Sequence, residues 1–412
     1  MWLGDFANDL FARRRYWATA VALLLLVVSA FGVVAQLPRV EAAKMSVVEE
    51  VRGTVYVMRG SESILVEPGT LIQEGDTLVT TNTGWLDVMF ADDSLVTVGP
   101  GTVVGVERLW LDPANEAHTA VELDVQRGRL WANVLNLLPN DSVFRVHSGR
   151  LEAQVDRRAS FDFSSLENEK GETEKKMRVF SNLVDFSVAE SDLVREGTLG
   201  AQVELVLSAG TLFLRKMEDA AGLAASDVWV QTNLEKSEEH RQRLDHYYAE
   251  QVTQKAGVLP GDVRYPVKRG FEQVRLLLTL DEQSRAEVTL ALGEKRFAEA
   301  MTLANRGETE AANDLLEEYK SLLVALAEAY PTIEPAVHAL LEESKKVVEG
   351  VLPENPLYGV RDFVDATSVL VTSDESTRQK LQLSTAADRL GFAFELIQIG
   401  SYDLAQTALE DY

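Results

Sequence analysis

Three hydropathy regimes follow one another along the chain. The first is an apolar run over residues 16–37 that no charge interrupts. At about 1.5 Å per residue these 22 positions make a helix of roughly 33 Å, enough for a hydrocarbon core of about 30 Å. From residue 47 the apolar positions come in short, β-branched runs, 53–59, 76–81, 85–90 and 94–98, separated by Gly, Pro, Asp and Asn. Runs recurring at about 8 to 12 residues with turn chemistry between them predict an all-β sandwich, barrel or solenoid. Alternation is broken within 85–90, so some strands are expected to be buried on both faces. Runs at 128–134, 143–146, 151–155, 178–188 and 202–216 extend the β region to residue 216, with the charged stretch 167–176 expected as a solvated loop. The third regime is helical. Residues 226–256 predict a connecting helix with its Trp229 end on the β region, stopped by Gly257 and Pro260.

Beyond that helix, residues 259–319 and 352–412 align without a gap at an offset of 93, with 18 identities in 61 positions. Self-similarity at a fixed period predicts repeated structural units. Two helical repeats are therefore expected, 259–349 and 352–412, in an all-α tandem bundle. Pro266 suits a first helical turn, Asp281 a cap, and Gly307 a stop before a helix from Thr309. In that helix Ala312, Leu315, Leu316, Tyr319, Leu322, Leu323 and Leu326 form one apolar stripe. Gly359 stands in the second copy for Pro266, Arg361 for Lys268 and Asp362 for Arg269. Shared positions thus read as caps and core, divergent ones as surface. The recurring pairs Arg285/Arg378 and Arg296/Arg389 are expected to bond helix ends or Asp281/Asp374 rather than a ligand.

Charge gives the chain a direction and removes function classes. Arg13, Arg14 and Arg15 precede the apolar run, and Tyr16 and Trp17 stand at its start. By the positive-inside bias residues 1–15 are expected to be cytoplasmic, 16–37 a transmembrane helix, and the bulk extracytoplasmic; cleavage after Ala35 is the alternative. The net charge of −25 argues against a nucleic-acid partner, which needs a basic footprint. Residues beyond 44 carry −27, a charge repelled by anionic lipid. There is no cysteine, so thiol nucleophiles, disulfides and Cys-based metal sites are excluded. No phosphate loop, His-Glu-x-x-His or nucleophile elbow occurs. His240 and His246, six apart, fall on opposite sides of a helix. No catalytic residue, cofactor or metal ligand is nominated.

Gly53-x-Val55, Pro68-Gly69, Glu74-Gly75-Asp76-Thr77-Leu78-x-Thr80, Phe90-x-Asp92-Asp93-Ser94 and Pro100-Gly101 follow one another within 47–108. This succession resembles the FecR-type domain of bacterial envelope proteins. Gly53, Gly69, Gly75, Asp76 and Thr80 then read as structural turn residues, with Asp76 bonding the backbone two residues on. The chain departs from the family at residues 157–160, Arg-Arg-Ala-Ser, where an Arg-Gly-Thr turn is usual. Leu259-Pro260-Gly261-Asp262, Tyr265-Pro266-x-Lys268-Arg269 and Glu272-x-x-Arg275 resemble an uncharacterised helical domain at the C-terminus of envelope and anti-sigma-like proteins. The first resemblance implies either an envelope module that meets surface polymers or proteins, or the outer half of a regulator that controls a sigma factor. Fifteen residues before the apolar run are too few for a helical anti-sigma domain.

The expected molecule is thus a multidomain α+β protein: a transmembrane helix, a FecR-like β domain over 47–216, a connecting helix and two helical repeats. Its expected role is non-catalytic binding or scaffolding in the cell envelope, with an envelope protein or cell-wall polymer as partner. A transmembrane regulator acting through a partner's cytoplasmic domain is the alternative. A glycan-cleaving enzyme would need two placed carboxylates, and sequence pairs none.

Overall fold

The computed structural model describes residues 45–111, 119–135, 142–155, 158–190, 193–217, 220–348, 357–398 and 401–410. The apolar run 16–37 and its flank Arg13, Arg14, Arg15, Tyr16 and Trp17 lie outside the described residues. Among the described residues no helix is long and apolar enough to cross a membrane.

The β region runs β1 Val47–Arg52, β2 Val55–Arg59, β3 Glu62–Leu65, β4 Thr77–Thr80, β5 Trp85–Met89, β6 Leu95–Val98, β7 Val103–Leu111, β8 Thr119–Val134, β9 Val143–Ser148, β10 Leu151–Val155, β11 Ala159–Glu167, β12 Thr173–Glu190, β13 Leu193–Gly200, β14 Val203–Ser208 and β15 Thr211–Lys216. Two long strands each serve two sheets. Up to residue 127, β8 pairs with β7 and β9; from residue 128 it pairs with β6 and β11. Likewise β12 pairs with β11 and β14 up to residue 182, and with β10 and β13 beyond it. Each strand turns its corner on a left-handed residue, Gly128 at φ +96° and Asn182 at φ +60°.

The first sheet is β1-β5-β6-β8-β11-β12-β14-β15 and the second β3-β2-β4-β7-β8-β9-β10-β12-β13. Both contribute to one core, where Phe144 of the second meets Phe161 of the first edge-on at 6.5 Å. The β region is therefore a sandwich with shared corner strands. The stretch 167–176 is not a loop: only residues 168–172 turn, and its remainder lies in β11 and β12. Glu174, Lys175 and Lys176 are consecutive residues of β12, all half-buried, a charged run that composition alone confuses with a solvated loop. Strand β13 has a polar centre, Arg-Glu-Gly-Thr, because it lies at the edge beside β12.

The helical region opens with α1 Ala220–Ser226 and α2 Val228–Ala256, whose N-terminus is capped by Asp227 through the Trp229 N–H. It continues with α3 Tyr265–Leu278, α4 Glu282–Asn305, α5 Thr309–Ala329, α6 Glu334–Val348, α7 Tyr358–Val371, α8 Glu375–Gln398 and α9 Tyr402–Glu410. The starts of α7, α8 and α9 fall 93 residues after those of α3, α4 and α5. Equivalent caps recur, Asp281 accepting from the Ser284 N–H at 2.8 Å and Asp374 from the Thr377 N–H at 2.7 Å. Pro266 sits in the first turn of α3, and Gly307 at φ +79° follows the end of α4. The stripe of α5 is buried at Ala312, Leu315, Leu316, Tyr319, Leu323 and Leu326.

Candidate interaction site

The outer face of the first sheet is polar, and the first half of α2 covers it. Along β8 and β11 the residues alternate: Leu130, Ala132, Phe161 and Phe163 enter the sandwich core, while Arg129, Trp131, Asn133, Ser160 and Asp162 face α2. Apart from the half-buried Arg129, both sets are buried because a helix replaces solvent on the outside. Asp162 is the centre of this seam. It accepts from Arg129 at 2.7 Å, from Arg178 at 2.9 Å and from Trp229 Nε1 at 2.9 Å. Both arginines also reach Asp227, the residue that caps α2, at 3.0 and 3.4 Å. The Arg129 guanidinium lies 4.9 Å from the centre of the Trp229 ring. A buried carboxylate shared by two guanidiniums and an indole N–H is the compensated state that burial of charge requires.

Further along α2, Trp131 Nε1 donates to Ser237 Oγ at 3.0 Å, and Lys236 pairs with Asp87, which also accepts from Thr97 at 2.7 Å. Ser160 donates to Asn133 Oδ1 at 2.7 Å, which leaves the Asn133 amide as donor to His240 Nδ1 at 3.0 Å. Burial and the nearby Arg243 push the His240 pKa down to about 4, with Asp93 opposing. The imidazole is therefore a neutral hydrogen-bonding group at physiological pH.

Two clefts open beside this seam and on the second sheet. One, of about 870 Å³, lies between β1, β5 and α2, where Lys236 pairs with Glu50 at 3.4 Å and Arg243 with Glu49 at 3.2 Å. Another, of about 350 Å³, is lined by Glu74, Gly75, Asp76, Glu107 and Asp124. His147 stands between Glu107 at 2.8 Å and Asp124 at 3.6 Å. Among the described residues no three His, Asp or Glu side chains converge as a metal-holding group.

The turn residues singled out in the sequence have backbone tasks. Gly53, Gly69 and Gly75 have φ of +70°, +90° and +86°. At Gly53 a Cβ would also lie 2.3 Å from the Thr83 carbonyl oxygen. Thr80 accepts from the Thr102 N–H at 2.8 Å and donates to the Gly99 carbonyl at 2.6 Å, joining β4 to the 99–102 turn. Asp76 departs from expectation: it reaches back to the Gln73 N–H at 2.8 Å and takes both arms of Arg59 at 2.7 Å. Of these five, Gly75 and Asp76 share a cleft wall.

In the helical region a second buried charge cluster ties α3 to α4 and α5. Arg296, fully buried on α4, donates to Glu299 at 2.7 Å, to Glu318 at 3.0 Å, and to Glu272. Glu299 also receives Lys268 and the Tyr265 hydroxyl, the latter at 2.9 Å. Burial and that carboxylate push the Tyr265 phenol up. Lys268 also donates to the Ala256 and Val258 carbonyls at the end of α2, where a cation is favoured. Arg296 thus bonds neither a helix end nor Asp281, and Arg389 bonds Asp362 at 3.0 Å. Arg378 does reach a helix end, donating to Thr372 O at 2.8 Å. Divergence between the copies is not confined to the surface either: Glu299, fully buried, has Phe392 as its counterpart.

A family model described as "Domain of unknown function (DUF5667)" matches residues 257–349 and again residues 350–412. The two matches leave the β region uncovered and span less than half of the chain. No curated protein matches the chain. Among solved structures, two crystal structures of a candidate anti-sigma factor from Parabacteroides distasonis ATCC 8503 are similar at 16% and 14% identity. Each likeness covers 34% of this chain and 60% of that chain, with a TM-score of 0.28. It spans less than two thirds of that protein and, at this TM-score, carries no conclusion about the present chain.

Proposed function

We propose that this chain is a membrane-anchored, extracytoplasmic binding or scaffolding protein of the bacterial cell envelope, without a catalytic centre of its own. In this reading the sandwich is a FecR-like module and residues 16–37 hold it at the membrane. One observation carries it: two clusters of buried charged side chains are spent on joining parts of the molecule. Asp162 fastens α2 to the sandwich, and Arg296 with Glu299 fastens α3 to α4 and α5. Groups neutralised by internal partners give rigidity and are not available as a titrating acid or base. A rigid, acidic body on a membrane anchor suits presentation of surfaces to an envelope polymer or protein.

Two measurements test this. Alkaline carbonate should leave the full chain in the membrane, and protease added to spheroplasts should digest it beyond residue 45. The detergent-solubilised full chain should then co-sediment with isolated cell-wall polymer or cross-link to an envelope protein. Release by carbonate, or digestion only after lysis, would overturn the location. Cross-linking only to a sigma-factor pathway component, through residues 1–15, would replace the scaffold reading with the regulator.

A further inference from the structure

Helix α3 is turned inside out. Its charged residues Lys268, Arg269 and Glu272 face α4 and α5, while Val267, Phe271, Val274, Leu277 and Leu278 point outward at 48–72% exposure. Gly270 lies in the middle of that apolar face, with no atom within 4 Å of where its Cβ would stand. An interior glycine weakens a helix and is explained where a neighbour must approach closely. An unbroken apolar face of this size marks an interaction surface.

The chain contains its own control. In α7, the counterpart of α3, the equivalents of Val267, Phe271, Val274 and Leu278 are Val360, Val364, Thr367 and Val371, and these are 0–4% exposed. Helices α5 and α6 pack on α7 and share its apolar core. The same face of the same kind of helix is therefore built to receive a helix. Ahead of the first unit, α2 holds the place that α6 holds ahead of the second, but α2 runs over the sandwich and α4. Its contacts are used there, and α3 is left open.

The geometry points to a second copy of this chain as the occupant, with α3 packed antiparallel on α3 about a two-fold axis. A two-fold contact requires one patch to be complementary to itself. This face qualifies, since Phe271 is a knob and the adjacent Gly270 a hole, so that each Phe271 enters the space above the other copy's Gly270. Val267 then lies opposite Val274.

Because the chain has no cysteine, engineered ones report without background. In native membranes the full chain carrying Val267→Cys and Val274→Cys should oxidise to a disulfide-linked dimer. Within one helix these positions are about 10.5 Å apart, beyond the roughly 7 Å limit between Cα atoms of a disulfide. Gln273→Cys, off the face, should remain monomeric. Adding Phe271→Glu to the double variant should cut cross-linking about tenfold or more, since it buries a carboxylate in an apolar contact. Gly270→Val should do the same by filling the hole. Phe271 is exposed in the single chain, so an unchanged unfolding transition separates lost pairing from lost folding. Equal cross-linking at position 273, no cross-linking at all, or indifference to Phe271→Glu would overturn the inference. Quenching of a fluorophore on Gly270→Cys by brominated lipid, without cross-linking, would assign the face to the membrane instead.

Discussion

Single residues matter most where the backbone leaves no alternative. Gly128 turns β8 from one sheet to the other at φ +96°, and a Cβ there would lie 2.3 Å from Thr102 Oγ1 and 2.5 Å from Thr102 Cα. Strain and collision add, so Gly128→Ala should cost about 2–4 kcal/mol by urea unfolding. Gly171, at φ +76° with open space around it, is the control: its replacement by Ala should cost only about 1 kcal/mol. An equal loss at both positions would refute the corner assignment. His240 makes a different prediction. Its folded pKa of about 4 lies below the ordinary 6.5, so between these values the unfolded chain holds a proton that the folded chain does not. Stability from this group is complete above pH 6.5 and is lost as pH falls towards 4, by up to about 3 kcal/mol. His240→Gln should flatten that part of the stability–pH curve, and an unchanged slope would exclude the residue as its source. Gly69 and Gly75 were legible because positive φ writes itself as Gly beside Pro or Asp, whereas Gly53, between Arg52 and Thr54, stood out only through the family resemblance. The bond between His240 and Asn133 was not, because nothing local marks two polar residues 107 positions apart as partners.

At the scale of elements, periodicity carried the helices. The caps at Asp281 and Asp374 and the stop at Gly307 state in single residues where chain direction changes. What the pattern could not show is which face of α3 would be inside. Amphipathicity predicts the apolar side inward, yet Arg296 and Glu299 attract the charged side, and the apolar side is left out. Helix α3 is consequently held to the body through polar ties, whereas α7 is held through Val360, Val364 and Val371. Glu299→Gln removes the carboxylate shared by Lys268, Tyr265 and Arg296. Amide hydrogen exchange in α3 should accelerate by about tenfold or more, a loss of roughly 1.4 kcal/mol in local opening energy, while α7 keeps its protection. Equal acceleration in both helices would mean that the charge cluster stabilises the whole bundle instead of one helix. Strand β13 escaped prediction for a related reason: an edge strand needs no apolar alternation, so its charged centre carries no strand pattern.

For the whole molecule the decisive element is α2, which belongs to both halves. Trp229 and Val230 join Trp131 and Phe180 on the first sheet, while Val252 and Ala256 belong to the helical core. From sequence α2 is a connecting helix with its Trp229 end on the β region, and Trp229 does pack there; the rest of its buried side was hidden, because a helix that meets a polar sheet face carries polar residues on both its buried and its exposed sides. The α+β division was readable from the change of period near residue 226, and so was the Trp229 end of the joint; the residues that receive it were not, since they stand on β5, β8, β11 and β12. Sandwich and helices should accordingly unfold as one unit in calorimetry. Trp229 is the tightest part of the joint: it lies 5.5 Å from Trp85, and a Cβ on Gly99 would stand 2.8 Å from its ring. Trp229→Ala should cost about 3–5 kcal/mol and resolve the single transition into two, because the halves then lose their common boundary. Gly99→Ala approaches the same joint from the sheet side and leaves α2 unaltered, so it should also split the transition. A single transition displaced to lower temperature in both variants would show that the Asp227 bonds to Arg129 and Arg178 hold the halves together without the indole.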